Sequence, residues 1–205
     1  MRTISYFFAF TLSLFLVACG GADTTATAVE EAPRVITGAF APAAQALDKG
    51  ASAAEVGGLL MQKFSSISDE ATGALNMEES RNFAETAQRL ADKYPADTLA
   101  ALPLYRAAEV VRAMNDPKRA AMIYEQIHNN YPTFSKAPEA LFMLGFTYDE
   151  DLNSLDKAKE IYEKFLKLYP ENVFAKATPM LLENLGKTDE EILKNLEAKA
   201  AGSSP

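Results

Sequence analysis

Residues 120–132, AAMIYEQIHNNYP, return 38 positions later as AKEIYEKFLKLYP at residues 158–170. Ala120, Tyr124, Ile127, Tyr131 and Pro132 thus recur as Ala158, Tyr162, Phe165, Tyr169 and Pro170, at one offset throughout. An earlier, more diverged copy keeps Ala87, Leu90, Tyr94 and Pro95. A repeat in this range of periods marks stacked helix pairs, because no single pair can bury its apolar face alone. Alanine stands where two helices cross closely, aromatic residues fill the space between pairs, and proline stops the second helix.

Working outward, helix signals surround each copy. Upstream lie matching first helices, Leu104 to Met114 and Leu141 to Tyr148. Ser52 with Glu55, and Thr188 with Glu191, have capping-box spacing. Asn76 with Glu79 opens another helix, whose apolar stripe is Phe83, Ala84, Ala87, Leu90, Ala91 and Tyr94. Asp116 before Pro117 is an N-cap followed by proline in the first turn. Pro103 and Pro179 fall near first helices and would either begin or kink them. No segment sustains strand-like alternation, so the expected class is all-α.

The unit carrying Leu144, Gly145, Tyr148, Ala158, Tyr162 and Pro170 resembles a tetratricopeptide repeat. It is longer than that family's usual unit, with one extra residue near 149–153, and the preceding unit has Ala108 and Val111 in place of the Gly and Tyr. The Tyr-Pro endings at 94–95, 131–132 and 169–170 resemble repeats of envelope proteins that assist outer-membrane assembly or accompany the Tol–Pal system. The resemblance implies a short right-handed solenoid of about three helix pairs over residues 51–201, closed by a capping helix at about 189–200. It also implies a concave groove lined by first helices. The groove-facing candidates are then Tyr105, Glu109 and Arg112 from one unit and Phe142, Phe146 and Asp149 from the next. The competing reading of Phe142 and Phe146 is packing between neighbouring first helices.

At the other end, a short start (Met1, Arg2) and an apolar run from Ile4 to Leu16 precede Leu16, Val17, Ala18 and Cys19. The run is shorter than the roughly 20 apolar residues a spanning helix needs, and its form is that of a secretory signal over residues 1–18. Its ending resembles the lipobox of bacterial lipoproteins, which implies that Cys19 becomes an acylated first residue. Several acyl chains give stable anchoring where one does not. The competing readings are an ordinary signal peptide or a short anchor with an incidental cysteine. Gly20 and Gly21, with no Asp directly after the cysteine, favour the outer membrane, facing the periplasm. Residues 19–50 hold small residues without sustained periodicity and are expected to form a flexible tether. The stretch from Gly20 to about Gln45, about 26 residues, would reach roughly 25–30 Å.

Composition narrows the chemistry. The net charge of −8 becomes about −9 once Arg2 leaves, which is poorly suited to nucleic-acid phosphates. Cys19 is the only cysteine and His128 the only histidine, so disulfides, cysteine-rich zinc sites and histidine pairs have no material. Asp149, Asp151, Asn153 and Glu160 have the spacing of a calcium loop. Ser154 replaces its turn glycine, however, and the segment runs into a repeat helix. A solvated acidic turn is the better reading. The expectation is therefore an envelope adaptor without cofactor, metal or catalysis, binding a protein or peptide. Two alternatives remain open: a regulatory subunit of an envelope enzyme, and a glycan- or small-ligand-binding lipoprotein.

Overall fold

The computed structural model describes residues 34–202. Cys19, the signal segment and the first part of the expected tether lie outside those residues. The described chain holds helices α1 (Ala41–Asp48), α2 (Ala53–Gln62), α3 (Met77–Lys93), α4 (Ala101–Ala113) and α5 (Pro117–Asn130). α6 (Ala137–Phe146), α7 (Leu155–Leu168), α8 (Thr178–Asn184) and α9 (Asp189–Gly202) follow. From α3 to α7 each helix packs chiefly on the next, the near-neighbour pattern of an all-α solenoid.

Local chemistry sets most helix starts. The Ser52 hydroxyl accepts from the Glu55 amide, and the Asn76 side chain accepts from the Glu78 and Glu79 amides. Asp116 accepts from the Arg119 amide, with Pro117 at the first position of α5. Thr188 and Glu191 complete the reciprocal box of α9. Pro103 and Pro179 both sit in the first turn of their helices, where a missing N–H costs nothing, so they begin helices.

The repeated Tyr-Pro endings have one geometry. Tyr94, Tyr131 and Tyr169 each leave the helix with φ near −130° and ψ near +55°, donating the backbone N–H four residues back. The Tyr131 hydroxyl donates to the Ala91 carbonyl at 3.3 Å, in the preceding repeat. The Tyr94 hydroxyl donates to the Ala51 carbonyl at 2.7 Å, just before α2. Tyr94 and Tyr131 thus end their own helices and tie them to the chain before.

Three features differ from expectation. The domain begins near Ile36, whereas the sequence reading ran the tether to residue 50. Phe40, Ala43, Ala44 and Leu47 are buried, and Phe40 meets Phe83 edge-on at 5.3 Å. Glu79 of α3 accepts the Ala39 amide, and Gly38, at φ +66°, is needed there because a Cβ would strike that carboxylate. The segment is ordered by α3, a tertiary contact its own weak pattern does not advertise.

The extra residue of the longer repeat is absorbed as a π-turn over Thr147–Asp151, closed by the Leu152 amide donating to the Thr147 carbonyl. Of the calcium-loop spacing, Asp149 and Asp151 stand in the π-turn and Glu160 in α7, with Asn153 in the link between them. Finally, α9 follows α8 but leaves Leu193 and Leu196 more than half exposed, so it covers the last apolar face only in part.

Candidate functional site

Of the six residues singled out as groove-lining, α4 holds Tyr105, Glu109 and Arg112, α6 holds Phe142 and Phe146, and the π-turn holds Asp149. Two of them are core. Tyr105 is 2% exposed, edge-on to Tyr124 at 5.9 Å and to Phe134 at 6.3 Å. Lys136 lies over its ring at 5.2 Å. Burial, reinforced by the Glu139 carboxylate, pushes the Tyr105 hydroxyl well above its usual range, so it stays protonated. Phe142 is buried too: its ring stacks on Phe174 at 4.4 Å and 12°, with Phe165 and Tyr162 within 6 Å. It pins α6 to α7 and to the segment before α8. Neither residue offers a ring face to a partner. The reason is that both sit one turn from small residues (Ala101, Ala108, Gly145), where the helices close over them.

The other four reach the surface, each already engaged. Glu109 accepts from Arg106 at 2.7 Å, and the Arg106 guanidinium lies over Phe64 at 5.8 Å. Arg112 forms a two-point pair with the Asp151 carboxylate and covers half-buried Phe146 at 4.9 Å. That pair bridges α4 to the π-turn of the next repeat. Asp149 accepts from the Tyr162 hydroxyl at 3.4 Å. Its carboxyl is held above the usual range by burial and by neighbouring Glu150.

The surface that results is an alternating row. Arg106–Glu109 and Arg112–Asp151 start from α4 and Lys136–Glu139 opens α6, with half-buried Phe146 under Arg112 and Leu102 exposed at the start of α4. Arg106, Lys136, Glu139 and Asp151 were missed from sequence. The (i, i+3) spacing of Arg106 with Glu109 and of Lys136 with Glu139 was a usable signal. The Arg112–Asp151 contact crosses repeats and had no local one. Beneath it the Tyr124 hydroxyl is buried with no hydrogen-bond partner among the described residues; the residue matching Asp149 in its own repeat is Arg112, a donor that pairs with Asp151 instead. Elsewhere Asp149, Asp151 and Glu160 do not converge, and among the described residues no His, Cys, Asp and Glu cluster is placed to hold a metal ion.

Residues 104–133 and 139–172 match the family model described as tetratricopeptide repeat. These two segments are similar to tetratricopeptide repeats. The first match spans α4, α5 and the Tyr131-Pro132 ending; the second spans α6, the π-turn, α7 and the Tyr169-Pro170 ending. No curated protein and no solved structure matches the chain. The α2–α3 pair stands outside the matched repeats. Its two helices are separated by residues 63–76, which hold a 3-10 turn at Phe64–Ile67 and an isolated bridge between Ser68 and Leu75. The signature that defines a tetratricopeptide repeat is thus stretched, although the pair still occupies the place of one in the stack.

Proposed function

We propose that this protein is a lipid-anchored, non-catalytic adaptor of a bacterial cell envelope, whose α4–α6 face receives a segment of another protein. The observation that carries the reading is the pair of segments similar to tetratricopeptide repeats, linked by Arg112 of α4, which pairs with Asp151 and covers Phe146 of α6. Rows of opposite charge with interspersed apolar points suit a polypeptide: charges set orientation and register, and the apolar points supply contact energy. Acylation of Cys19 supplies location and residues 20–35 supply reach. The partner is an envelope protein, of outer-membrane assembly or division-linked type, with the anchor in the outer membrane facing the periplasm.

Capture of partners from cross-linked native membranes tests this. The comparison is between the wild-type chain and a variant with Glu109→Lys and Phe146→Ala, both at surface positions rather than in the core. The reading expects a partner that the wild type retains and the variant, still folded by circular dichroism, loses. Identical partners with both chains would remove the α4–α6 face from the account.

A further inference from the structure

The C-terminal end of the stack has a second surface of different character. Between the π-turn and the α8–α9 connection lies an open cleft of about 400 Å³. Its lining is mixed, with Leu155, Leu181 and Ile192 as the apolar side chains among polar ones. Gly186, at φ +74°, makes the cleft possible, because a Cβ there would meet Leu155 at 2.7 Å. Asp149, Glu150 and Asp189 line the rim, against Lys187. Glu191 is spent on the α9 capping box and does not count towards that rim.

The helices that flank the cleft also expose apolar side chains. On α9, Leu193 is 58% and Leu196 51% exposed, and Met180 of α8 is 55% exposed. Leu193 and Leu196 stand one turn apart on α9, with Glu190, Lys194 and Glu197 on the same helix. A second copy would set the cleft carboxylates Glu150 and Asp189 against an equally acidic surface, which disfavours self-pairing. The Asp149 carboxyl in the cleft lining is raised by burial and then by neighbouring Glu150, with the Tyr162 hydroxyl opposing both.

We propose that this C-terminal cleft and the exposed leucines of α9 form a second docking surface, which takes a Lys- or Arg-bearing amphipathic helical segment of a partner protein. The partner's apolar face covers Leu193, Leu196 and the apolar side chains of the cleft. Its cationic side chains lay their aliphatic stems along Leu155 and Leu181 and place their heads at Glu150 and Asp189. Charge complementarity chooses this occupant over a second copy and over an anionic lipid surface. It stands whether or not the α4–α6 face binds anything.

The test uses the full chain in neutral detergent with two synthetic 18-residue helical peptides of identical Leu pattern, one carrying Lys and the other Glu at its polar positions. Fluorescence anisotropy measures binding to the wild type, to Glu150→Lys/Asp189→Lys, and to a control of equal net charge, Glu55→Lys/Glu125→Lys, altered at exposed positions on α2 and α5. The Lys peptide is expected to bind wild type and control alike, with affinity falling as salt rises. The cleft variant should bind it at least about tenfold more weakly, and the Glu peptide should not bind. Equal weakening in control and cleft variants would overturn the proposal, as would binding of both peptides alike. So would sedimentation showing that the chain dimerises and that Leu193→Ser/Leu196→Ser abolishes the dimer.

Discussion

Adding one methyl group at Gly145 should loosen the second matched repeat. A Cβ built there lies 2.8 and 2.9 Å from two carbons of the Tyr162 ring and 3.3 Å from Ile161. Tyr162 is fully buried, with Phe142 on one side and its hydroxyl held at Asp149, so the ring cannot simply swing away. Overpacking of this kind costs about 1–3 kcal/mol. Alanine is the better helix former by about 1 kcal/mol, which offsets part of that loss. The expected net effect of Gly145→Ala is a loss of about 1 kcal/mol, or about 2–4 °C in Tm for a domain this size. Urea unfolding followed by circular dichroism, with the m-value checked for constancy, reads it directly. A partner variant, Tyr162→Leu, vacates the space, and in that background Gly145→Ala should stabilise. The reasoning fails if Gly145→Ala stabilises the wild-type chain by the full helix-propensity gain, or if the two substitutions are additive.

The remaining expectations concern packing, pH and anchoring. Phe142→Ala should cost about 3–4 kcal/mol, as for other buried aromatics, while Phe146→Ala should cost about 1 kcal/mol; equal losses in urea melts would contradict the burial difference. The His128 imidazole, in the last turn of α5, is held below its usual range by burial and by Lys164. Its neutral form is therefore the one the folded state prefers. Stability should be full above pH of about 6.5, where the unfolded state is also neutral, and should fall as pH drops through the folded value. His128→Gln should flatten that part of the pH–stability curve, and an unchanged slope would assign it to other groups. Cys19→Ser should move the protein from the detergent-rich to the aqueous phase on cloud-point partition and abolish palmitate labelling; retention of either would remove the lipid anchor.

Much of the scaffold was legible because its determinants are local. Ser52, Asn76, Asp116 and Thr188 each cap a helix through an atom two or three residues away, a distance the sequence states outright. The five positions repeating at one offset carry the stacking, and Ala120, Tyr124, Ala158, Tyr162 and Phe165 are all fully buried. What escaped was set by contacts across the stack. Periodicity places Tyr105 and Phe142 on one face of a helix but does not say whether another element covers that face; Phe134 and Phe174 do. The segment around α1 is mostly alanine with Phe40 and Leu47 as its large apolar side chains, so its pattern is faint until Phe83 and Glu79 supply partners. The cleft at the C-terminal end was hidden for a related reason. It depends on Gly186 folding the α8–α9 connection against Leu155.

Residue-level photo-cross-linking in living cells tests the adaptor account most directly. A benzophenone side chain is placed in turn at Leu102, Glu109 and Phe146 on the α4–α6 face, and at Glu55 and Glu125 as controls on other helices. The account predicts one envelope protein cross-linked from the three face positions and from neither control. Cross-links of equal yield from all five positions, or from the controls alone, would contradict it.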